Sequence, residues 1–201
     1  MKAIAPISTK TLVSLLLLLV LQACAGSGAR IGDPDAEQAR DDQLGLAILS
    51  LGDDIDPDEA RRAARVAIDY SHQLAREYDI VGPPLFHNTL VNLGIRDRGL
   101  CVHWARDLMI RLQQERFRSL DLHWGVANYE SAFRVEHNTV IISARGDALQ
   151  QGLVLDPWRY SGDLYWAPAH DDPDYVWRPH AEIQVLKDRR AELRQSRGVQ
   201  R

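Results

Sequence analysis

An α+β domain, with N-terminal helices packed on an antiparallel sheet, is the fold class this chain predicts. Two observations carry that expectation. Between Asp56 and Leu112 apolar residues recur at helical spacing, interrupted by Gly82-Pro83-Pro84 and Gly94. After Gly125 the pattern changes to short β-branched and aromatic runs separated by turn residues.

The first element is a signal. Lys2 and Lys10 form a basic region, and Thr11 to Leu21 is a nearly unbroken apolar run. A run this short fits a secretory h-region better than a membrane span. Cys24 after Leu21-Gln22-Ala23 resembles the lipobox of bacterial lipoproteins. That resemblance implies that Cys24 is lipidated and becomes the new N-terminus. The chain would then sit in the bacterial cell envelope, anchored by lipid on the periplasmic face of the outer or inner membrane. An ordinary cleaved signal or an uncleaved anchor are the alternatives.

Three segments follow: signal 1–23, flexible tether 24–43 and folded domain 44–201. Gly26, Ser27, Gly28 and Gly32 favour flexibility in the tether, and the stretch from Asp33 to Asp42 is mostly polar. The remainder is one domain long. Loss of residues 1–23 removes two lysines and no acids, so the formal charge moves from −4 to −6. That balance argues against nucleic acid as a partner. With Cys24 lipidated, Cys101 is the sole thiol of an exported chain, which excludes a disulfide scaffold.

Within the domain, Leu44 to Leu51 is a short apolar opening segment. Asp56-Pro57-Asp58-Glu59 starts a helix that runs to about Tyr78: Asp56 caps, Pro57 suits the first turn and Glu59 completes a capping box. Ala60, Ala63, Ala64, Ala67, Leu74, Ala75 and Tyr78 form its apolar face. A shorter helix, Leu85 to Leu93, stops at Gly94. The next helix places Cys101, Trp104, Ala105, Leu108 and Leu112 on one face, with Cys101 in its first turn. Unpaired N–H groups and the positive end of the helix dipole favour thiolate there. Gly99 allows close approach of the chain.

His137 to Ser143 (HNTVIIS) and Leu153 to Asp156 (LVLD) read as neighbouring antiparallel strands. The start of one then lies beside the end of the other, so His137 and Asp156 can meet. Leu164-Tyr165-Trp166 and Tyr175-Val176-Trp177 are further β-like runs. A polar helix, roughly Ala181 to Gln195, closes the chain. Cys101, His137 and Asp156 are the candidate catalytic residues: a thiol, a base for its proton and a carboxylate to orient the base.

Together GLCVHWARDL, EHNTVII and LVLDPW resemble the transglutaminase-like branch of the papain-like superfamily, over about residues 60 to 160. The resemblance implies a thiol-nucleophile acyl transfer on a peptide or protein amide. Cys101 is its nucleophile, His137 its general base and Asp156 the orienting group. Hydrolysis would make the protein a cysteine peptidase or amidase, and transfer to an amine a transglutaminase. There are departures. The family often has His-Ala-Trp at the second motif, where this chain has His137-Asn138-Thr139. Periplasmic relatives often carry calcium-binding acids just after the cysteine, where this chain has Val102, His103 and Trp104. No cofactor and no metal are expected.

Trp158, Trp104 and His123 are the candidate substrate-binding residues. Asn88, Asn92 and Tyr78 are candidates for an oxyanion contact. His103 follows Cys101 too closely to be an obvious base and reads as site wall or packing. His170 with Asp171, Asp172 and Asp174 reads as a solvated loop, with a metal cluster the less favoured alternative. A catalytically inactive peptide-binding module and a structural envelope lipoprotein are the alternatives to an enzyme.

Overall fold

The structure is a computed structural model and describes residues 34–198. The signal, Cys24 and residues 25–33 of the tether lie outside the described residues. Among those described, five helices and a five-stranded antiparallel sheet form an α+β fold. In chain order they are α1 (Pro34–Leu49), α2 (Pro57–Glu77), α3 (Pro84–Asn92), α4 (Cys101–Gln113), β1 (Leu120–Ala127), β2 (His137–Ala144), β3 (Leu153–Asp156), β4 (Tyr165–Pro168), β5 (Arg178–Pro179) and α5 (His180–Gly198). None of the described helices is long and apolar enough to cross a membrane.

The sheet runs β4-β3-β2-β1-β5. Its central strand β2 is buried along nearly its whole length, because both faces are covered. Val140 and Ile142 of β2 and Leu153 and Leu155 of β3 pack on Leu44 and Ile48 of α1, Ala63 and Ala67 of α2 and Leu108 and Leu112 of α4. The alternate residues, Ile141 and Val154, pack with Ala127, Leu149, Ala169 and Trp177 on the other face. Side chains alternate along a strand, so His137 and Asp156 belong to this second face.

Three elements differ from the sequence reading. Residues 34–43, read as tether, are helical, and α1 continues through the apolar segment to Leu49. Leu44 and Ile48, both fully buried, explain why: α1 has a core to dock on. The sheet begins earlier than expected, since β1 already contains His123 and Trp124. Tyr175-Val176-Trp177 is not a strand; only Arg178 and Pro179 pair with β1.

The capping box at α2 is also rewired. Asp56 caps as expected, accepting from the Asp58 and Glu59 N–H groups at 2.8 and 3.4 Å. Glu59 does not reach back. Its buried carboxylate accepts from the N–H groups of Arg118 and Ser119 at 2.9 and 2.8 Å and from the Ser119 hydroxyl at 2.7 Å. The Asp56 N–H instead donates to Ser119 Oγ at 3.0 Å. Three donors outbid one, and the exchange ties the start of α2 to the turn before β1. Burial pushes the Glu59 pKa up, but these donors and Arg62 hold it below the usual carboxylate value.

A depressed carboxylate stabilises the fold above its unfolded pKa, and that stability is lost as pH falls through the folded pKa. Glu59→Gln should therefore cost about 1–3 kcal/mol at pH 7, the scale of a buried group left unsatisfied. The difference from wild type should shrink below pH ~4. Urea unfolding of both proteins at pH 7 and pH 3 checks this, and an equal gap at both values would contradict it.

Candidate active site

Cys101 is placed by a glycine. Gly99 has φ +120°, and any Cβ there would collide with the His87 ring. The His87 ring is itself fixed: Nδ1 accepts from the Val81 N–H at 3.3 Å and Nε2 contacts the Arg98 carbonyl at 2.8 Å. From the other side, the Gly99 carbonyl accepts from Trp104 Nε1 at 2.9 Å, and the Gly99 N–H donates to His103 Nδ1 at 3.1 Å. Helix α4 thus pins its own lead-in loop and starts at Cys101. Its N-cap, Leu100, has no side chain able to satisfy the first-turn N–H groups.

His137 and Asp156 meet through the strand register. Val140 pairs with Leu155 and Ile142 with Leu153. Extending that register puts His137 and Asp156 in a diagonal relation on one face, a separation that long side chains bridge. His137 Nε2 lies 2.7 Å from Asp156 Oδ2, with both side chains buried. Burial pushes the imidazole pKa down. The charge and hydrogen bond of Asp156, together with the nearby Cys101 thiol, outweigh it and raise the value to about 9. The other ring nitrogen, Nδ1, is buried and has no hydrogen-bond partner. Nε2 being occupied, Nδ1 is the nitrogen left for Cys101. The Cys101 thiol itself points to the Glu136 carbonyl, at 3.6 Å.

Aromatic rings enclose the imidazole. Trp158, Tyr175 and Trp177 have centroids 4.7, 4.6 and 5.5 Å from it. Trp158 is held by its Nε1, which donates to Asn88 Oδ1 at 3.1 Å. Trp177 donates from Nε1 to Asp172 Oδ2 at 2.9 Å. Arg159 completes this layer. Its Nε donates to Asp156 Oδ2 at 3.1 Å, and its terminal nitrogens grip both oxygens of Asp172 at 3.0 and 2.7 Å.

Cys101, His137, Trp158 and Tyr175 line one cavity of about 250 Å³, with Leu85, Phe133 and Val135 at its apolar rim. Phe133 is 99% exposed, so the rim presents apolar surface to solvent. The segment leading to His137 is held at Glu136, whose carboxylate pairs with Lys187 of α5 at 2.9 Å.

The structure thus brings Cys101, His137, Asp156 and Trp158 together. Trp104 and His123, read as substrate-binding, are not among the residues that line this cavity. Trp104 is 1% exposed and packs edge-on against Tyr78, supporting the loop before Cys101 rather than the cavity. His123 pairs with Ile141, four residues along β2 from His137, and contacts Ser143 Oγ at 2.8 Å. Of the oxyanion candidates, the Tyr78 hydroxyl is committed to Asp107 at 2.7 Å, Asn92 is exposed at the end of α3, and Asn88 supports Trp158.

The loop of His170 to Asp174 is only partly solvated. The Asp172 side chain is buried in its ion pair with Arg159, because the guanidinium needs a second carboxylate. Among the described residues no group of three His, Cys, Asp or Glu is placed to hold a metal ion. Arg159 and Asp172 escaped sequence reasoning. The available signal was Arg159 three residues beyond Asp156, in a chain with an acidic cluster downstream.

A histidine with a raised folded pKa contributes stability that is complete below its unfolded value near 6.5 and is lost as pH rises through about 9. Histidine NMR should therefore find His137 titrating near pH 9. In Asp156→Asn, where burial is no longer opposed by a carboxylate, the midpoint should fall by at least about one unit. An unchanged midpoint would contradict the assignment of Asp156 as the cause.

Searches of protein-family models, curated proteins and solved structures each return no match to this chain.

Proposed function

We propose that the protein is a thiol acyl-transfer enzyme acting on a peptide or protein amide. Cys101 is the nucleophile, His137 the general base and Asp156 the group that orients it. The observation that carries this reading is the buried His137–Asp156 contact of 2.7 Å, made through Nε2 while Nδ1 has no partner and Cys101 lines the same cavity. A carboxylate on one nitrogen fixes the ring and leaves the other as base.

The chemistry runs as follows. The S–H turns away from the Glu136 carbonyl and gives its proton to His137 Nδ1, and the two rest as a thiolate–imidazolium pair, the form that the raised His137 pKa favours. The sulfur attacks the amide carbon, the C–S bond forms and the C–N bond breaks. The leaving amine takes its proton from the imidazolium, which leaves a thioester on Cys101. Water then yields a carboxylic acid, as in a peptidase or amidase, or a second amine yields a new amide, as in a transglutaminase. The apolar rim of Leu85, Phe133 and Val135 suits an apolar side chain beside the reacting carbonyl. On this reading the helix-first, sheet-second order is a transglutaminase-like core of the papain-like type. Lipidation at Cys24 would hold it in the bacterial cell envelope, within reach of envelope peptides and proteins.

One observation favours a second reading, a peptide-binding module without chemistry. The thiol donates to the Glu136 carbonyl at 3.6 Å, while His137 Nδ1 has no hydrogen-bond partner. Alkylation of Cys101 separates the two. The full chain in mild detergent is labelled with iodoacetamide from pH 5 to 9, alongside His137→Ala. The enzyme reading expects rapid labelling at pH 6 that falls at least about tenfold in the variant, as loss of an activating base requires. Labelling that rises only near pH ~8.5, an ordinary thiol value, and is equal in both proteins would leave the binding module.

A further inference from the structure

Arg159 stands outside the thiol, base and carboxylate scheme, yet it touches Asp156 and Tyr175 beside the imidazole and Asp172 behind them. Its side chain is 7% exposed and the Asp156 and Asp172 side chains are fully buried. One face of the guanidinium meets Tyr165 at 3.9 Å from the ring centroid, and Tyr175 lies at 4.8 Å. Nε reaches the Asp156 oxygen that also contacts His137. The Arg159 backbone N–H donates to the second oxygen, Oδ1, at 3.3 Å. The terminal nitrogens hold Asp172, and one of them also reaches Asp174 at 3.2 Å. Asp172 in turn accepts from the Trp177 indole and from the Asp174 N–H at 3.0 Å.

We propose that Arg159 is the positioning residue of this site: a single guanidinium fixes the Asp156 carboxylate against His137 and pins the loop from Asp172 to Trp177, whose rings close over the imidazole. The geometry is specific to arginine. Three directions of donation from one plane serve two carboxylates and an exposed third, whereas a lysine ammonium reaches from a single point. Without that plane Asp156 keeps only His137 and the Arg159 backbone N–H, and Tyr175 and Asp172, the acceptor of Trp177, lose their tie to the strand that carries Asp156.

The groups facing His137 are Asp156 from β3, Cys101 from α4, and the rings of Trp158, Tyr175 and Trp177. Arg159, Asp172 and Asp174 stand behind Asp156, while Arg134 and Glu136 line the cavity beside the imidazole. Arg159→Lys retains every one of these charges, so a change in His137 reports geometry rather than net charge.

The test is made on the full chain in detergent, with Arg159→Lys and Asp172→Asn beside wild type. Histidine NMR follows the His137 midpoint, and hydrogen exchange follows the Trp177 indole proton. Folding of each variant is checked by circular dichroism. In the folded variants the His137 midpoint should fall by about one pH unit, a tenfold change in proton affinity. The Trp177 indole proton should exchange at least about tenfold faster, as loss of its fixed acceptor implies. If Arg159→Lys does not fold, the Trp177 exchange rate in Asp172→Asn supplies the reading, because its His137 midpoint also responds to the lost carboxylate charge. A folded variant with both the midpoint and the exchange rate unchanged overturns the proposal.

Neither readout requires a reactive thiol. Altered His137 and Trp177 signals with an inert Cys101 would uphold Arg159 as the positioning residue while removing the acyl-transfer reading. A reactive Cys101 with both signals unchanged would do the reverse.

Discussion

The Asp156 carboxylate is the constraint on which the second half of the chain depends. It is fully buried, and a buried carboxylate is tolerated only when paired and hydrogen-bonded. Its partners come from three places: His137 from the adjacent strand, the Arg159 side chain, and the Arg159 backbone N–H. Each partner carries a further demand. Arg159 is itself buried and needs Asp172. Asp172 brings its loop inward, and the loop delivers Tyr175 and Trp177 to the imidazole. An irregular segment that forms no strand is therefore ordered by charge pairing rather than by a hydrogen-bond ladder.

The sheet makes that burial possible. Helices α1, α2 and α4 cover one face, and the 169–177 loop covers much of the other through Ala169 and Trp177. A strand between two covered faces reads as a continuous apolar run, and Val140-Ile141-Ile142 is such a run. At the first residue of that strand the apolar pattern gives way to His137. Helix α4 supplies Cys101 to the same end, in a small cluster with Trp104, Trp158, Leu74 and Tyr78. The polar residues thus sit where helical layer and sheet end meet, beside the cavity whose rim carries Leu85 and Phe133.

This division explains what the amino-acid order disclosed and what it concealed. The start of α4 at Cys101 and the meeting of His137 with Asp156 follow from local signals: a glycine before a helical stripe, and two β-branched runs joined by a turn. Both are short-range or depend on neighbouring strands. The Arg159–Asp172 pair was hidden because an arginine and an aspartate on a polar loop look alike whether solvated or buried. Only the position of Asp156, set by packing, decides that a second carboxylate is needed. Glu59 was misread for a similar reason. Its spacing from Asp56 fits a capping box, but Ser119 and Arg118, distant in sequence, offer it more donors. Trp104 and His123 differ in another sense: Trp104 turns into the packing beneath the lead-in loop, and His123 shares the face of His137 but lies four residues along the strand, neither of which proximity in sequence discloses.

The charges around Asp156 bear on the chemistry that the cavity would support. Asp156 and Asp172 contribute two formal negative charges inside the protein, and Arg159 contributes one positive charge; Asp174 is half in solvent and is screened. With a neutral imidazole the buried cluster carries one excess negative charge. With an imidazolium it is balanced, and the electron-rich faces of Trp158 and Tyr175 add to the preference for a cation. The same balance costs a neutral ring nothing in geometry, since Nε2 keeps its bond to Asp156 in either state. Proton gain at Nδ1 therefore requires no movement of the ring. On the proposed reading the source of that proton is Cys101, and the cluster makes the proton more welcome on His137. A base fixed in place and biased towards its charged form is what a thiol nucleophile needs, and here the bias originates behind the histidine rather than beside the sulfur.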